Sequence, residues 1–140
     1  MSRLVIDASV AVKLLVDEDG AALATFVYRT FDLLAPALLL AECSNILWKK
    51  ARKGELSNAE AITRSAMLTR TNIVLHPMEP LVEAATREAI RLDHPAYDCF
   101  YLALAAAEDC PFVTADERLV RKVEAAGGGP EVRLLSSFAV

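Results

Sequence analysis

"LVIDASVAVKLLV", residues 4–16, begins with three apolar residues, breaks at Asp7 and resumes with apolar residues at helical spacing. A short apolar run that ends in an acid and feeds a helix reads as strand, turn, helix, with Ser9 as the expected cap. "PFVTADERLVRKVEAA", residues 111–126, repeats the pattern: "FVT" is a strand, Asp116 stands two residues beyond it, and "ERLVRKVEAA" is a helix. Outward from these two units, a helix is expected over 21–31 and a strand at "DLLAP", 32–36, ended by Pro36. A long helix in "ALLLAECSNILWKKARKG" is stopped by Gly54, and the helix of "SNAEAITRSAMLTR" opens with Ser57 and Glu60 in capping-box register. "NIVLHP" is a further strand, and "PLVEAATREAIRL" is an amphipathic helix with Leu81, Ala85, Ala89 and Leu92 near one stripe. A last short strand falls near "VRLL", after the "GGGP" loop. Short apolar strands alternating with helices predict an α/β fold, a sandwich whose central, mostly parallel sheet is covered on both faces.

Composition sets the outer limits. A chain of 140 residues, 54% hydrophobic, is expected to form one domain, 1–140, with a substantial core. The longest apolar stretches, "LLAPALLLA" and "CFYLALAAA", fall short of the ~20 residues needed to span a bilayer. "MSRLVIDASV" has no secretory pattern, so a cytoplasmic location is expected. Cys43, Cys99 and Cys110 are odd in number, widely spaced and set in apolar sequence, which favours buried free thiols over disulfides or a zinc site. His76 and His94 offer no metal-ligand spacing. With 15 basic and 19 acidic residues the chain has no overall basic footprint for nucleic acid, though a local one is compatible. The dense cluster "KKARK", 49–53, suits either the solvated C-terminal end of a helix or a patch that contacts phosphates.

"HPAYDCFYLALA", residues 94–105, poses the functional question. Pro95 suits a helix start, and the residues after Asp98 are apolar, so this acid lies in the first turn of a helix buried on most sides. An ionised carboxylate there needs compensation, from backbone N–H groups at the helix start or from a partner elsewhere. Asp7 and Asp116 follow strands, on the rim where α/β folds bind ligands, and Glu42 interrupts "LLLAECSNIL". Each alone also suits a plain role: a turn or N-cap for the aspartates, a polar helix face for Glu42. Four carboxylates converging on one rim would repel one another unless protons or cations intervene. Oxygen donors without histidine or cysteine favour Mg²⁺ or Mn²⁺ over zinc, and such sites hydrolyse phosphodiesters.

In order and spacing, "VIDASVAVKLL", "PALLLAECSNIL" and "YDCFYLALAAAEDCPFVTADERL" resemble the PIN-domain family, most closely the VapC-type toxins of bacterial toxin–antitoxin pairs. The resemblance covers essentially the whole chain. It implies a three-layer α/β/α PIN sandwich and a metal-dependent endoribonuclease, the toxin of a pair, inhibited by a VapB-like antitoxin and assembled as a homodimer. The family's acidic quartet falls on Asp7, Glu42, Asp98 and Asp116, which would hold Mg²⁺ or Mn²⁺ and generate the attacking hydroxide without a histidine base. Supporting polar positions fall on Ser9, Asn45 and Thr114, and Leu119 stands where many relatives have an aromatic residue. Lys49, Lys50, Arg52 and Arg118 are the candidates for guiding an RNA backbone. Apolar surface on the helices near 21–31 and 37–70, including Phe26, Trp48 and Met67, suits either core, a dimer face or an antitoxin groove.

Other classes fit less well. A phosphoaspartate enzyme would want a second aspartate where Ser9 stands, and a receiver domain would want an acidic pair at the end of the first strand. A nuclease acting on structured DNA, or an inert PIN-like module that binds RNA or protein, are the nearer alternatives.

Overall fold

The computed structural model describes residues 2–138. In chain order the elements are β1 (Arg3–Ile6), α1 (Ala8–Leu15), α2 (Ala21–Thr30), β2 (Asp32–Pro36), α3 (Leu38–Arg52) and α4 (Asn58–Leu68). They continue with β3 (Val74–His76), α5 (Val82–Leu92), α6 (Ala96–Ala107), β4 (Phe112–Thr114), α7 (Glu117–Ala126) and β5 (Val132–Leu134). The five strands form one sheet in the order β3-β2-β1-β4-β5, and every neighbouring pair is parallel. Helices flank this sheet as an α/β/α sandwich, so the expected mostly parallel sheet is parallel throughout.

Topology places the site. The chain lays β2 and β3 on one side of β1 and then crosses to lay β4 and β5 on the other, with Val5 opposite Phe112 and Leu4 opposite Leu33. The order therefore reverses between β1 and β4, and in open α/β sheets ligands bind beyond the carboxyl ends of the strands at such a reversal. Asp7 follows β1 directly and Asp116 follows β4, so both aspartates stand at that point.

Burial explains why these strands are continuous apolar runs. Val5, Ile6, Phe112 and Val113 are fully buried, as central strands of a parallel sheet covered on both faces must be. α6 packs against β1, β2 and β4, which is why its sequence is apolar almost all round. At the sheet edge, β3 leaves Val74 and Leu75 exposed.

Local signals account for the helix boundaries. The Ser57 hydroxyl accepts from the Glu60 N–H at 3.1 Å and the Glu60 carboxylate accepts from the Ser57 N–H at 2.9 Å, the reciprocal capping box. Gly54 takes a φ of +78° where α3 ends, a conformation other residues rarely adopt. Two expectations need correction. The cap of α1 is Asp7, not Ser9, because the carboxylate at the strand end already reaches the free N–H groups of Ser9 and Val10. Cys43 and Cys99 are buried free thiols, whereas Cys110 is only partly covered because it lies in the turn before β4. Among the described residues no helix is long and apolar enough to cross a membrane.

Candidate active site

Asp7 is the most enclosed of the four acids, 6% exposed at the junction of β1 and α1. Its Oδ1 accepts from the Ser9 hydroxyl at 2.5 Å and the Ser9 N–H at 3.1 Å, and its Oδ2 accepts from the Thr114 hydroxyl at 2.6 Å. Each hydroxyl is itself fixed by the turn after β4: Ser9 Oγ accepts from the Ala115 N–H at 2.9 Å, and Thr114 Oγ1 from the Asp116 N–H at 3.1 Å. The backbone of one strand end thus orients the carboxylate of the neighbouring strand end. Asp116 caps α7 through Oδ1, which accepts from the Arg118 and Leu119 N–H groups at 3.0 and 3.2 Å.

The other two acids come from helices. Glu42, half-buried on α3, accepts from the Tyr101 hydroxyl through Oε1 at 2.5 Å. Asp98, in the first turn of α6, lies 2.7 Å through Oδ2 from Nε2 of His94. Asp7, Glu42, Asp98 and Asp116 line one cleft of about 290 Å³ with Ser9, Asn45, Ile46 and Lys49. Thr114 acts from beneath, through Asp7 and the turn.

The charge of Asp98 presses on both Asp7 and Glu42. Burial pushes Asp7 up from 3.8 to about 6; the Ser9 and Thr114 hydrogen bonds oppose that, and the charge of Asp98 adds to it. Burial also raises Glu42, the Tyr101 bond lowers it and Asp98 raises it again. Cys43, adjacent to Glu42, is pushed to about 12 by burial and by Asp7 and Glu42, which makes it inert as a nucleophile.

The donor set suits a hard divalent cation. It consists of carboxylate oxygens, among which the charge of Asp98 presses on Asp7 and Glu42, and the bonds above engage only Oε1 of Glu42, Oδ2 of Asp98 and Oδ1 of Asp116, leaving a second oxygen on each. Among the described residues no three His, Cys, Asp or Glu side chains stand close enough together to form a finished ligand cage.

Two partners were not legible in the sequence. Tyr101 reads as part of an apolar helix face, yet it is fully buried with its hydroxyl on Glu42; a buried tyrosine where phenylalanine would fill the space is the available signal. His94 stands four residues before Asp98, a spacing that pairs side chains on helices, but it precedes the helix and so gives no periodic signal.

The basic residues divide. Lys49 lines the cleft and Arg118 is exposed beside Asp116. Lys50 instead pairs with Glu18 at 2.8 Å and Glu55 at 3.5 Å, and the Arg52 guanidinium lies 4.7 Å over the Trp48 ring. The "KKARK" cluster is therefore not a single free patch.

Tyr101→Phe keeps the ring stacked 6.0 Å from Phe112 and removes only the donor to Glu42. The Glu42 carboxyl is then expected to titrate higher than in wild type, with a stability loss of about 1 kcal/mol. Carbon-detected NMR titration in EDTA checks this, and an unchanged Glu42 titration would show that the bond does not set its charge.

Residues 4–125 match the family model described as "PIN domain". The chain belongs to the PIN-domain family. Over 116 residues this PIN domain is 32% identical to VapC ribonuclease Mb0985 of Mycobacterium bovis, covering 83% of this chain and 87% of the relative. Its fold is similar to that of PAE2754 from Pyrobaculum aerophilum, with a TM-score of 0.72 at 23% identity, covering 97% of this chain and 85% of that one. It is similar as well to VapBC2 from Rickettsia felis, solved bound to a DNA fragment from its promoter, with a TM-score of 0.65 at 10% identity, covering 94% and 98% of the two chains.

Proposed function

We propose that this PIN domain is a Mg²⁺- or Mn²⁺-dependent endoribonuclease, the toxin of a toxin–antitoxin pair. The observation that carries this reading is the meeting of Asp7, Glu42, Asp98 and Asp116, from two strand ends and two helices, in one cleft where the sheet order reverses. The VapC ribonuclease name of its Mycobacterium bovis relative supports the choice of RNA.

Asp7, Glu42 and Asp98 would hold the cation, with Asp116 completing the site directly or through water. Such an ion stabilises the negative charge that builds on a transferring phosphoryl group and makes a nucleophile of water at neutral pH. The chain's own part is to hold the acids still and to place the substrate. Ser9 and Thr114 fix both oxygens of Asp7, Tyr101 holds one oxygen of Glu42, and the N-terminal turn of α7 holds Asp116. Asn45 adds a neutral polar group to the cleft wall, and Lys49 an ammonium placed to meet a backbone phosphate. Arg118 extends that cationic edge beyond Asp116, whereas Lys50 and Arg52 contribute less because they already have partners.

The proposed partners are a VapB-like antitoxin and a second copy of the chain, in the cytoplasm. An apolar groove of about 370 Å³ between α3 and α4, lined by Leu47, Trp48, Ala61 and Ile62, offers an amphipathic antitoxin segment a place to dock. Trp48 is 52% and Ile62 71% exposed there, so this part of the helical surface is not core.

Purified protein incubated with a mixed RNA pool in Mg²⁺ or Mn²⁺ tests the proposal, beside EDTA, Asp98→Asn and a matched DNA pool. Cleavage confined to RNA and to added metal is expected, falling at least ~10²-fold in the variant, since even residues that only orient metal ligands are worth 10–100-fold. Cutting that persists in EDTA would overturn the metal site, and cutting of DNA in preference to RNA would move the chain to the structured-DNA class.

A further inference from the structure

His94 sits in the short connection between α5 and α6, where its backbone has little freedom. Asp93 before it takes a left-handed conformation with φ of 51°, the His94 N–H donates to the Ala89 carbonyl at 3.0 Å, and Pro95 follows as the cap of α6. Its ring has a partner on each nitrogen: Nε2 lies 2.7 Å from Oδ2 of Asp98, and Nδ1 lies 3.3 Å from Nζ of Lys122. Lys122 reaches across from α7 and also donates to the Asp93 carbonyl at 2.8 Å, which anchors the ammonium beside the ring.

An ammonium can only donate, so a ring nitrogen that hydrogen-bonds to it must accept, which in the neutral imidazole puts the proton on Nε2. That N–H then donates to Asp98. We infer that His94 is a positioning residue for Asp98: Lys122 fixes its tautomer, and its Nε2–H holds Oδ2, so that the carboxylate offers its other oxygen to the divalent cation. This inference rests on the reading of Asp98 as one of the acids that hold the ion. It assigns a purpose to a histidine and a lysine that do not line the cleft, and it couples the α5–α6 connection to α7, the helix that Asp116 caps.

The arrangement predicts which replacements work. Glutamine carries a donor near the position of Nε2, whereas asparagine carries one near Nδ1 and leaves Asp98 without a hydrogen bond. Mn²⁺ affinity, measured on full-length protein by electron paramagnetic resonance without RNA, is expected to fall about tenfold in His94→Ala and His94→Asn and to be largely restored in His94→Gln. The chain has two histidines, so the ¹⁵N signals of His94 in the metal-free protein are identified by their loss in the glutamine variant. They are expected to show a protonated Nε2 and a bare Nδ1, and Lys122→Met, which leaves Asp98 and the cleft untouched, is expected to turn this into a mixture of tautomers.

A purely structural role would lower the melting temperature in all the variants and leave Mn²⁺ affinity unchanged, which overturns the inference. A proton on Nδ1 in wild type does the same. If wild type binds Mn²⁺ no better than a variant lacking Asp98, the metal reading of the cleft itself has failed and takes this inference with it.

Discussion

Asp7→Asn is expected to remove the share of the pH dependence of stability that Asp7 contributes, a loss, in EDTA, as pH rises from about 4 to about 6. The folded protein raises the Asp7 pKa from 3.8 to about 6, so across that interval the folded state binds a proton the unfolded state has released. The contribution of Asp7 to stability therefore falls with rising pH, by about 3 kcal/mol, because each pH unit between the two values costs about 1.36 kcal/mol. The penalty is fully present above pH 6. Asparagine has no charge to desolvate and caps a helix as well as aspartate does, so the variant keeps the start of α1. At pH 8 without divalent ions it is expected to be more stable than wild type while cleaving no RNA, and near pH 4 the two should converge. Urea unfolding at a series of pH values measures both curves. Parallel curves would mean that Asp7 is not the group that burial holds up. Added Mg²⁺ should stabilise wild type and not the variant, since a ligand that binds only the folded state raises its stability by mass action.

Phe112→Ala is expected to cost about 3–5 kcal/mol, a large part of the ~5–15 kcal/mol that holds a domain together. Phe112 is fully buried on β4, opposite Val5 on one side and Val132 on the other, in the middle of the sheet. A gap there is bounded by strands whose positions are fixed by their hydrogen bonds, so the surroundings close over it poorly. The same ring stacks on Tyr101, whose hydroxyl holds Glu42, and β4 carries Thr114, which holds Asp7. Equilibrium unfolding measures the loss, and a cost below about 1 kcal/mol would show that the sheet repacks around the missing ring. Mn²⁺ affinity should weaken in the variant even where it is still folded, because two of the acids lose a support that begins at this side chain.

How far the sequence carried can be traced residue by residue. Asp7 and Asp116 were legible because each ends a short apolar strand and precedes a helix, so the residue pattern alone puts them at strand ends. That these strands are neighbours depends on the sheet order, which no local pattern contains. Glu42 and Asp98 were legible as acids in apolar helices, where an unexplained charge marks its own position. What held them was not legible: Tyr101 looks apolar until its hydroxyl is placed, and His94 meets Asp98 across a helix start. The pairing of Lys50 with Glu18 links α3 to the segment after α1, a contact between residues distant in sequence, which is why a basic cluster that reads as one patch divides between separate tasks.

The two aspartates at the strand ends each serve as a helix cap as well as a wall of the cleft. Glu42 and Asp98 cap no helix; their structural partners are the side chains of Tyr101 and His94. If a lineage of chains like this one had no cleavage to perform, folding would still select for a capping residue at positions 7 and 116, whereas a carboxylate at 42 or 98 would be held only by its side-chain partner, which can change with it. Under the proposed function, a descendant that keeps the first pair and lacks the second would be a folded non-cutter, and an intact first pair says little by itself about whether a relative is an enzyme.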